Sequence, residues 1–237
     1  VRDKSEVVIK DISIIVPAYN EEGSLEKLVI ELRETLISLF SSWEIIIVND
    51  ASSDNTAVIA DELKNRFSNI HVIHNLENKN VGGSYIEGLK VVTKSYVSWL
   101  PADGEIPPSI LENFTQTFKE NSVLVPYPTN SFRQRSFIRA IISKIFRSTV
   151  NILFKINLKY QNGSNVYPTH ILKNGNFDSN GFLIHLEMLL YSIKIMKCEV
   201  SQVPFKLEKR ASGDSKALSF KNILDICIGL IILKKKY

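Results

Sequence analysis

Cysteine is nearly absent from this 237-residue chain: only Cys198 and Cys227 occur, both in apolar surroundings and without metal-ligand spacing. That excludes a disulfide-stapled scaffold or a zinc ribbon, and two buried thiols in a reducing compartment are the expectation. Long hydrophobic runs are missing too. The longest, residues 226–233, is broken by Gly229 and is far shorter than the roughly 20 residues a membrane-spanning helix needs. The opening V-R-D-K-S-E-V-V-I-K has no apolar core, so no signal peptide is expected. There is no low-complexity tract and no internal repeat. The most informative absence is of negative charge. Residues 121–177 contain eight Lys and Arg but no Asp or Glu, whereas residues 1–120 carry 19 acids against 11 bases. A field of that sign attracts phosphates or anionic lipid. What remains is ordinary: 44% hydrophobic and 23% charged residues argue against disorder, and the length suits one α/β domain.

The first half alternates strand and helix. D-I-S-I-I-V-P at 11–17 is a β-branched run that reads as a central strand. After the loop A-Y-N-E-E-G, Leu25, Leu28, Val29, Leu32 and Leu36 recur at helical spacing. W-E-I-I-I-V-N at 43–49 is a second buried strand. Ser53, Asp54 and Asn55 follow it as cap-type residues for a helix reaching about Phe67. A third strand spans 70–75, and N-K-N-V-G-G-S opens a helix near Gly83. Such alternation predicts a mostly parallel sheet covered on both faces.

The stretch S-Y-V-S-W-L-P-A-D-G-E-I-P-P-S-I-L at 95–111 carries the chemistry. Residues 96–100 form a short buried strand that Pro101 stops. Asp103 and Glu105 then lie two apart, with Gly104 between them permitting a tight turn. Carboxylates at the C-terminal end of a strand in an open α/β sheet are where such sheets place ligands. Hard oxygen donors at this spacing suit Mg²⁺ or Mn²⁺ shared with a substrate's phosphates. A helix is expected over 110–119 and a strand over 122–126.

Beyond residue 126 the character changes. Phe137, Ile138, Ile141, Ile142, Ile145, Phe146, Leu153 and Phe154 form a broad apolar helix face, with Arg135, Arg139, Ser143 and Arg147 every four residues on another side. A basic amphipathic helix within an acid-free block favours a membrane interface. Further helices are expected over 181–196 and 220–233, the second followed by Lys234-Lys235-Lys236, and an edge strand over 199–207. The histidines His170 and His185 read as surface or packed residues.

Four loops at strand ends, P-A-Y-N-E, N-D-A-S-S-D-N-T, P-A-D-G-E and R-x-x-G-x-S-K, together resemble the family 2 glycosyltransferases with the GT-A fold. The subgroup most similar is that of dolichol-phosphate mannose synthases and bacterial polyprenyl-phosphate glycosyltransferases, over about residues 12–220. The resemblance implies an α/β, Rossmann-like, mostly parallel sheet with helices on both faces and C-terminal amphipathic helices. It also implies a single glycosyltransferase domain over 1–237. Its nucleotide-sugar half is about 12–126, and the acceptor- and membrane-facing half about 127–237. Pro17, Tyr19 and Glu21 match the nucleotide-facing loop, and Asp50 matches the acid that recognises base or ribose. Asp54 is assigned to structure. Ala102, Asp103 and Glu105 match the metal motif, whose first aspartate is Pro101 here, so the expected metal ligands are Asp103 and Glu105 for Mg²⁺ or Mn²⁺. Arg210, Ser215 and Lys216 match a loop that closes over the donor diphosphate. Glu187 stands where the family often has an acid near the acceptor, and it is the general-base candidate beside Asp103 if the acceptor is a sugar hydroxyl. Asn162, Gly163 and Tyr167 resemble part of an acceptor-side loop.

The implied activity is inverting transfer from a UDP- or GDP-linked sugar to a polyprenyl-phosphate or other lipid-linked acceptor. The place is the cytoplasmic face of the membrane, to which the protein would be peripheral. No nucleic-acid partner is expected, and a homo-oligomer is compatible with the resemblance. Two rival expectations are transfer to a glycan or lipid-linked saccharide, and nucleotide-sugar binding without turnover.

Overall fold

A computed structural model describes residues 6–116, 118–119, 121–130, 137–161, 163–179, 181, 183–207 and 220–237. The first strand pair joins β1 (Glu6–Val7) to β6 (Phe118–Lys119). The β-branched runs read from the sequence form the centre of the molecule: β2 (Asp11–Ala18), β3 (Ser42–Asn49), β4 (Ile70–His74) and β5 (Tyr96–Trp99). They associate in parallel in the order β4-β3-β2-β5, and the short β8 (Tyr167–Pro168) adds antiparallel to β5.

Both faces are covered because side chains alternate along each strand. Ile12, Ile14 and Val16 of β2 pack with α1 (Leu25–Leu39), through Leu25, Leu28, Val29, Leu32 and Leu36, and with Ala60 and Leu63 of α2 (Thr56–Arg66). Ile15 of the same strand, with Ile46 and Val48 of β3, faces the opposite side. There it meets Tyr85 and Leu89 of α3 (Asn80–Val91), Ile171 and Leu172 of α5 (Thr169–Lys173), and Ile184, Met188 and Leu189 of α6 (Leu183–Leu190). Each such aliphatic side chain, fully buried, contributes about 1.5–3 kcal/mol of transfer free energy. The sheet is thus the common wall of two cores.

A second parallel pair, β7 (Ser122–Pro128) and β9 (Glu199–Phe205), stands apart from the central sheet and is tied to it by a bridge between Leu124 and Val166. The helix α4 (Phe137–Phe154) packs with α6 and with α7 (Phe220–Lys236) in a third apolar cluster. Val150, Phe154, Leu186, Leu190, Leu230 and Leu233 are buried there. The C-terminal end of α6 runs on as a π-helical turn over Tyr191–Ile195.

Three local expectations are corrected. The segment expected as a helix over 110–119 is a 3₁₀ stretch over Pro108–Thr115 followed by the strand Phe118–Lys119. Pro108, Leu111 and Phe114 recur every third residue and are all buried, which is the period of the tighter helix. Cys198 is buried as expected, but Cys227 is exposed on α7. The helix expected to open near Gly83 begins at Asn80.

At Gly88, α3 approaches the central strand closely. A Cβ there would lie 2.6 Å from Ile15 Cγ2, below any real contact, and Ile15 sits in the middle of the central strand. Gly88→Ala is therefore expected to destabilise the protein by about 1–3 kcal/mol of overpacking, despite alanine's better helix propensity. A lowered midpoint in urea checks it; an unchanged or raised midpoint would mean that α3 can lift off β2 freely.

Candidate functional site

Parallel pairing puts the C-terminal ends of β4, β3, β2 and β5 along one edge of the sheet, so the four loops that follow them are neighbours in space. Ala18 at the end of β2 pairs with Asn49 at the end of β3, and the amide of Asp50 donates to the Ala18 carbonyl at 2.9 Å. On the other side of β2, Ile15 pairs with Trp99, and the Leu100 amide donates to the Ile15 carbonyl at 3.0 Å. The residues from Tyr19, Asp50 and Pro101 onward thus leave three adjacent strands.

The first two loops are laced together. The Asn20 amide donates to Ser52 Oγ (3.0 Å), and Asn20 Oδ1 accepts from the Ser53 amide (2.8 Å). The Glu21 amide donates to Thr56 Oγ1 (2.8 Å), and the Asn55 amide to Glu22 Oε2 (3.0 Å). Glu21 Oε2 accepts from Ser24 Oγ at 2.6 Å. Asp54 takes the structural role assigned to it: Oδ1 accepts from the Thr56 amide and hydroxyl and Oδ2 from the Glu22 amide. These bonds outweigh the effect of partial burial and hold its carboxyl below the usual range. Asn20, Ala51 and Asn80 adopt left-handed backbone at φ near +56° to +58°. For alanine that is a conformation of appreciable cost, and such residues gather at functional edges. Tyr19, next to Asn20, is 43% exposed, so an aromatic ring stands in solvent at this rim, while Pro17 before it is half-buried.

Asp50 lies below that rim at 3% exposure. Its Oδ1 accepts from Asn75 Nδ2 (2.7 Å) and from the Lys79 amide at the start of α3 (2.9 Å). Asn78 Nδ2 reaches the Asp50 carbonyl at 3.3 Å. The loop after β4 therefore fixes one oxygen of Asp50, a role for Asn75 and Lys79 that the sequence reading missed. The available signal was position alone: they follow the third parallel strand, β4, and so had to reach the same edge.

In the third loop Ala102 is buried and Asp103 is 9% exposed. The Glu105 amide donates to Asp103 Oδ1 at 2.9 Å, closing a turn around Gly104 at φ +71°. The two carboxylates are thus on one turn. Among the described residues no three His, Cys, Asp or Glu side chains gather as a closed metal site, so a cation here would need oxygens from a ligand. The diphosphate loop expected at Arg210, Ser215 and Lys216 lies outside the described residues. The strand that leads to it is pinned: Thr129 donates from amide and hydroxyl to the Phe205 carbonyl, and Asn130 exchanges two hydrogen bonds with Leu207. Pro107, Ser109, Asn130, Phe205 and Leu207 line one open groove.

In the segment expected to face the acceptor, Trp99 Nε1 donates to the Gly163 carbonyl (3.1 Å), and its ring stacks on His185 with centroids 4.1 Å apart. Tyr167 is buried, and its hydroxyl accepts from Asn165 Nδ2 at 3.0 Å. Asn162 lies outside the described residues. Glu187 is 1% exposed. Its Oε2 accepts from the amides of Asp178 (3.1 Å) and Ser179 (2.8 Å), and its Oε1 from Lys236 Nζ at 2.7 Å. Burial pulls the Lys236 ammonium down, but the Glu187 and Asp178 carboxylates outweigh it and hold it above the ordinary lysine range.

A model of the Glycosyl transferase family 2 matches residues 13–173, which include the first three loops and the strand β8. The chain belongs to glycosyl transferase family 2. It is 31% identical over 144 residues to the undecaprenyl-phosphate 4-deoxy-4-formamido-L-arabinose transferase of Proteus mirabilis (strain HI4320), a match covering 60% of this chain and 44% of that one. The chain therefore spans less than half the length of that curated relative. Among solved structures it is similar to the glucosyl-3-phosphoglycerate synthase of Mycobacterium tuberculosis. The complex with phosphoglyceric acid gives a TM-score of 0.72 at 16% identity, over 95% of this chain and 80% of that one. The complex with Mn²⁺, UDP-glucose and phosphoglyceric acid gives 0.71 at 15% identity, with the same coverage. At such identities the likeness shows the fold, GT-A.

The packing of His185 has a measurable pH signature. Burial against Trp99 and Tyr85 pushes its pKa from 6.5 down to about 3. The unfolded chain therefore binds a proton below about pH 6.5 that the folded chain does not accept until about pH 3. Stability rises with pH across that window and is lost as pH falls, by up to about 1.4 kcal/mol per unit from this group. His185→Phe keeps the stack and should flatten the slope between pH 6.5 and 4 in urea titrations. An unchanged slope would mean that His185 protonates in the folded state.

Proposed function

We propose that this family 2 protein transfers a sugar from a nucleoside-diphosphate donor to a polyprenyl-phosphate acceptor at the inner face of the membrane. The observation that carries the reading is the convergence of Tyr19, Asp50 and Asp103 on one sheet edge. In this reading the donor lies across that edge. Tyr19 flanks the base, Glu21 and Pro17 shape its loop, and Asp50, oriented by Asn75 and Lys79, accepts from base or ribose. Asp103 and Glu105, backed by the buried Ala102, supply hard carboxylate oxygens, a donor set that fits Mg²⁺ or Mn²⁺ if diphosphate oxygens complete it. When bound, such a cation stabilises the charge of the leaving diphosphate. Arg210 and Lys216, with Ser215, add bidentate and point-charge contacts to the same phosphates. UDP or GDP is the leaving group; the similar synthase was crystallised with UDP and Mg²⁺. Residues 12–126 serve the donor, and residues 127–237 serve the acceptor and the membrane.

The acceptor reading rests on three supports. The 31% identical relative is an undecaprenyl-phosphate transferase. A phosphate acceptor is already largely ionised at neutral pH and needs no general base. That suits Glu187, whose two oxygens are engaged by Lys236, Asp178 and Ser179, whereas a sugar hydroxyl would need such a base. The third support is an outward apolar stripe on each of two adjoining helices. Ile141, Ile145 and Ile152 fall on one side of α4, and Ile228, Ile231 and Ile232 on one side of α7. All six are 40–80% exposed, while the buried side chains of the same helices face the opposite way. Among the described residues no helix is long and apolar enough to cross a membrane, and these stripes, flanked by Lys144, Lys155, Lys234 and Lys235, match an interface.

Two outcomes are expected. Asp103→Asn should leave the melting temperature near wild type and lower transfer or donor hydrolysis by roughly two orders of magnitude, measured with Mn²⁺ across a panel of nucleotide sugars. Activity close to wild type would remove Asp103 from the reaction. The triple change Ile145→Ser, Ile152→Ser and Ile231→Ser should weaken flotation with phosphatidylglycerol vesicles roughly a hundredfold or more, given the apolar area lost. Equal flotation of both proteins, or none by either, would point to a soluble acceptor.

A further inference from the structure

The basic C-terminal run Lys234-Lys235-Lys236 is not uniform. Lys236 turns inward to 31% exposure and donates to three acceptors: the Asn176 carbonyl (2.9 Å), Asp178 Oδ2 (2.9 Å) and Glu187 Oε1 (2.7 Å). Glu187 in turn holds the amides of Asp178 and Ser179 with its other oxygen. The loop so fixed presses on the first turn of α3. A Cβ on Gly82 would stand 3.0 Å from both the amide nitrogen and the carbonyl oxygen of Gly181, and 3.1 Å from the Ser179 carbonyl. One residue before that turn, the Lys79 amide holds Asp50. A continuous set of contacts therefore runs from α7 through Glu187, residues 178, 179 and 181 and Gly82 to the carboxylate at the sheet edge.

We propose that Lys236 and Glu187 are positioning residues for the donor end of the site: their ion pair clamps residues 176–179 against α3 and so sets the placement of Lys79 and Asp50. The proposal rests on the reading of Asp50 as a donor contact, but the mechanical link stands without it. It also gives α7 two jobs, since the helix that shows Ile228, Ile231 and Ile232 outward holds the clamp inward. The geometry is strict. The Lys236 ammonium uses its three protons on three acceptors, and the buried Glu187 carboxylate that loses this cation is left uncompensated.

The test compares Lys236→Met, Lys236→Arg and, as a control at the exposed neighbour, Lys235→Met. Two readouts are needed: amide hydrogen exchange and titration with UDP plus Mn²⁺. Lys236→Met is expected to speed exchange about tenfold at Asp178 and Ser179 and also at Lys79 and Gly83. It should weaken UDP binding several-fold and, once a donor is in hand, raise its KM with little change in kcat. Lys236→Arg should restore most of both readouts, and Lys235→Met should alter neither. Faster exchange confined to residues 178–179, with Lys79 and Gly83 unmoved, overturns the coupling. So does wild-type UDP affinity in Lys236→Met. Propagated exchange in a protein that never binds UDP supports the clamp and counts against the UDP donor instead. If Lys236→Met loosens the whole protein, Glu187→Gln, which keeps volume and one carbonyl acceptor, is judged by the same criteria.

Discussion

Eight parallel pairs between β2 and β3, from Asp11 opposite Ser42 to Ala18 opposite Asn49, constrain everything else in this molecule. A parallel sheet cannot be closed by hairpins, so each strand must be followed by a crossover that returns the chain to the same starting edge. All the polar turns that follow strands therefore accumulate at the other edge. The site is a consequence of that bookkeeping of direction: Tyr19, Asp50, Asn75 and Asp103 lie far apart in sequence and meet because their strands run the same way. The opposite edge is closed by one buried acid. Glu44, 4% exposed, accepts from Ser13 Oγ (2.6 Å) and from the Thr93 amide and hydroxyl (2.6 and 2.9 Å). Burial would raise its pKa, but these bonds prevail and lower it. Asp11 Oδ2 accepts the Ser95 amide there as well.

The two buried glutamates show how similar burial serves different ends. Glu44 is held by neutral donors, Ser13 on β2 and Thr93, 31 and 49 residues away along the chain. Glu187 also joins segments 49 residues apart, but its partner is a cation, Lys236, on a helix whose other side is apolar and exposed. Losing the Lys236 ammonium leaves the buried Glu187 carboxylate without its cation, which is destabilising, so α7 is held by more than its few leucines.

Much of the first half of the chain was legible because its strands are near-continuous β-branched runs and its helices keep a regular apolar period. Buried parallel strands advertise themselves in that way. The edge carrying Asp50 and Asp103 followed from strand order alone. What escaped was decided by tertiary contact. Nothing in the sequence says which of three consecutive lysines will turn inward, because the choice depends on where Glu187 arrives. Asn75 counts in the sequence only as the last residue of the third strand, and it takes the fold to bring its side-chain amide to Asp50. The segment 110–119 reads as an ordinary helix, although its first part belongs to a 3₁₀ stretch over Pro108–Thr115, because a three-residue period and a 3.6-residue period differ little over eight positions. Cys227 was expected to be buried because its neighbours are apolar, but those neighbours, Ile228 and Ile231, are themselves on the outside.

That last feature makes the protein its own instrument. Of the two thiols, Cys198 is packed in the core and its burial pushes its pKa up, which slows its reaction with alkylating dyes, while Cys227 is accessible. It lies four positions before Ile231, and so on nearly the same side of α7. A polarity-sensitive fluorophore can therefore be attached beside the apolar stripe of the natural sequence without engineering a single residue. Its emission colour would then read the surroundings of that helix directly, in buffer, in detergent or against lipid.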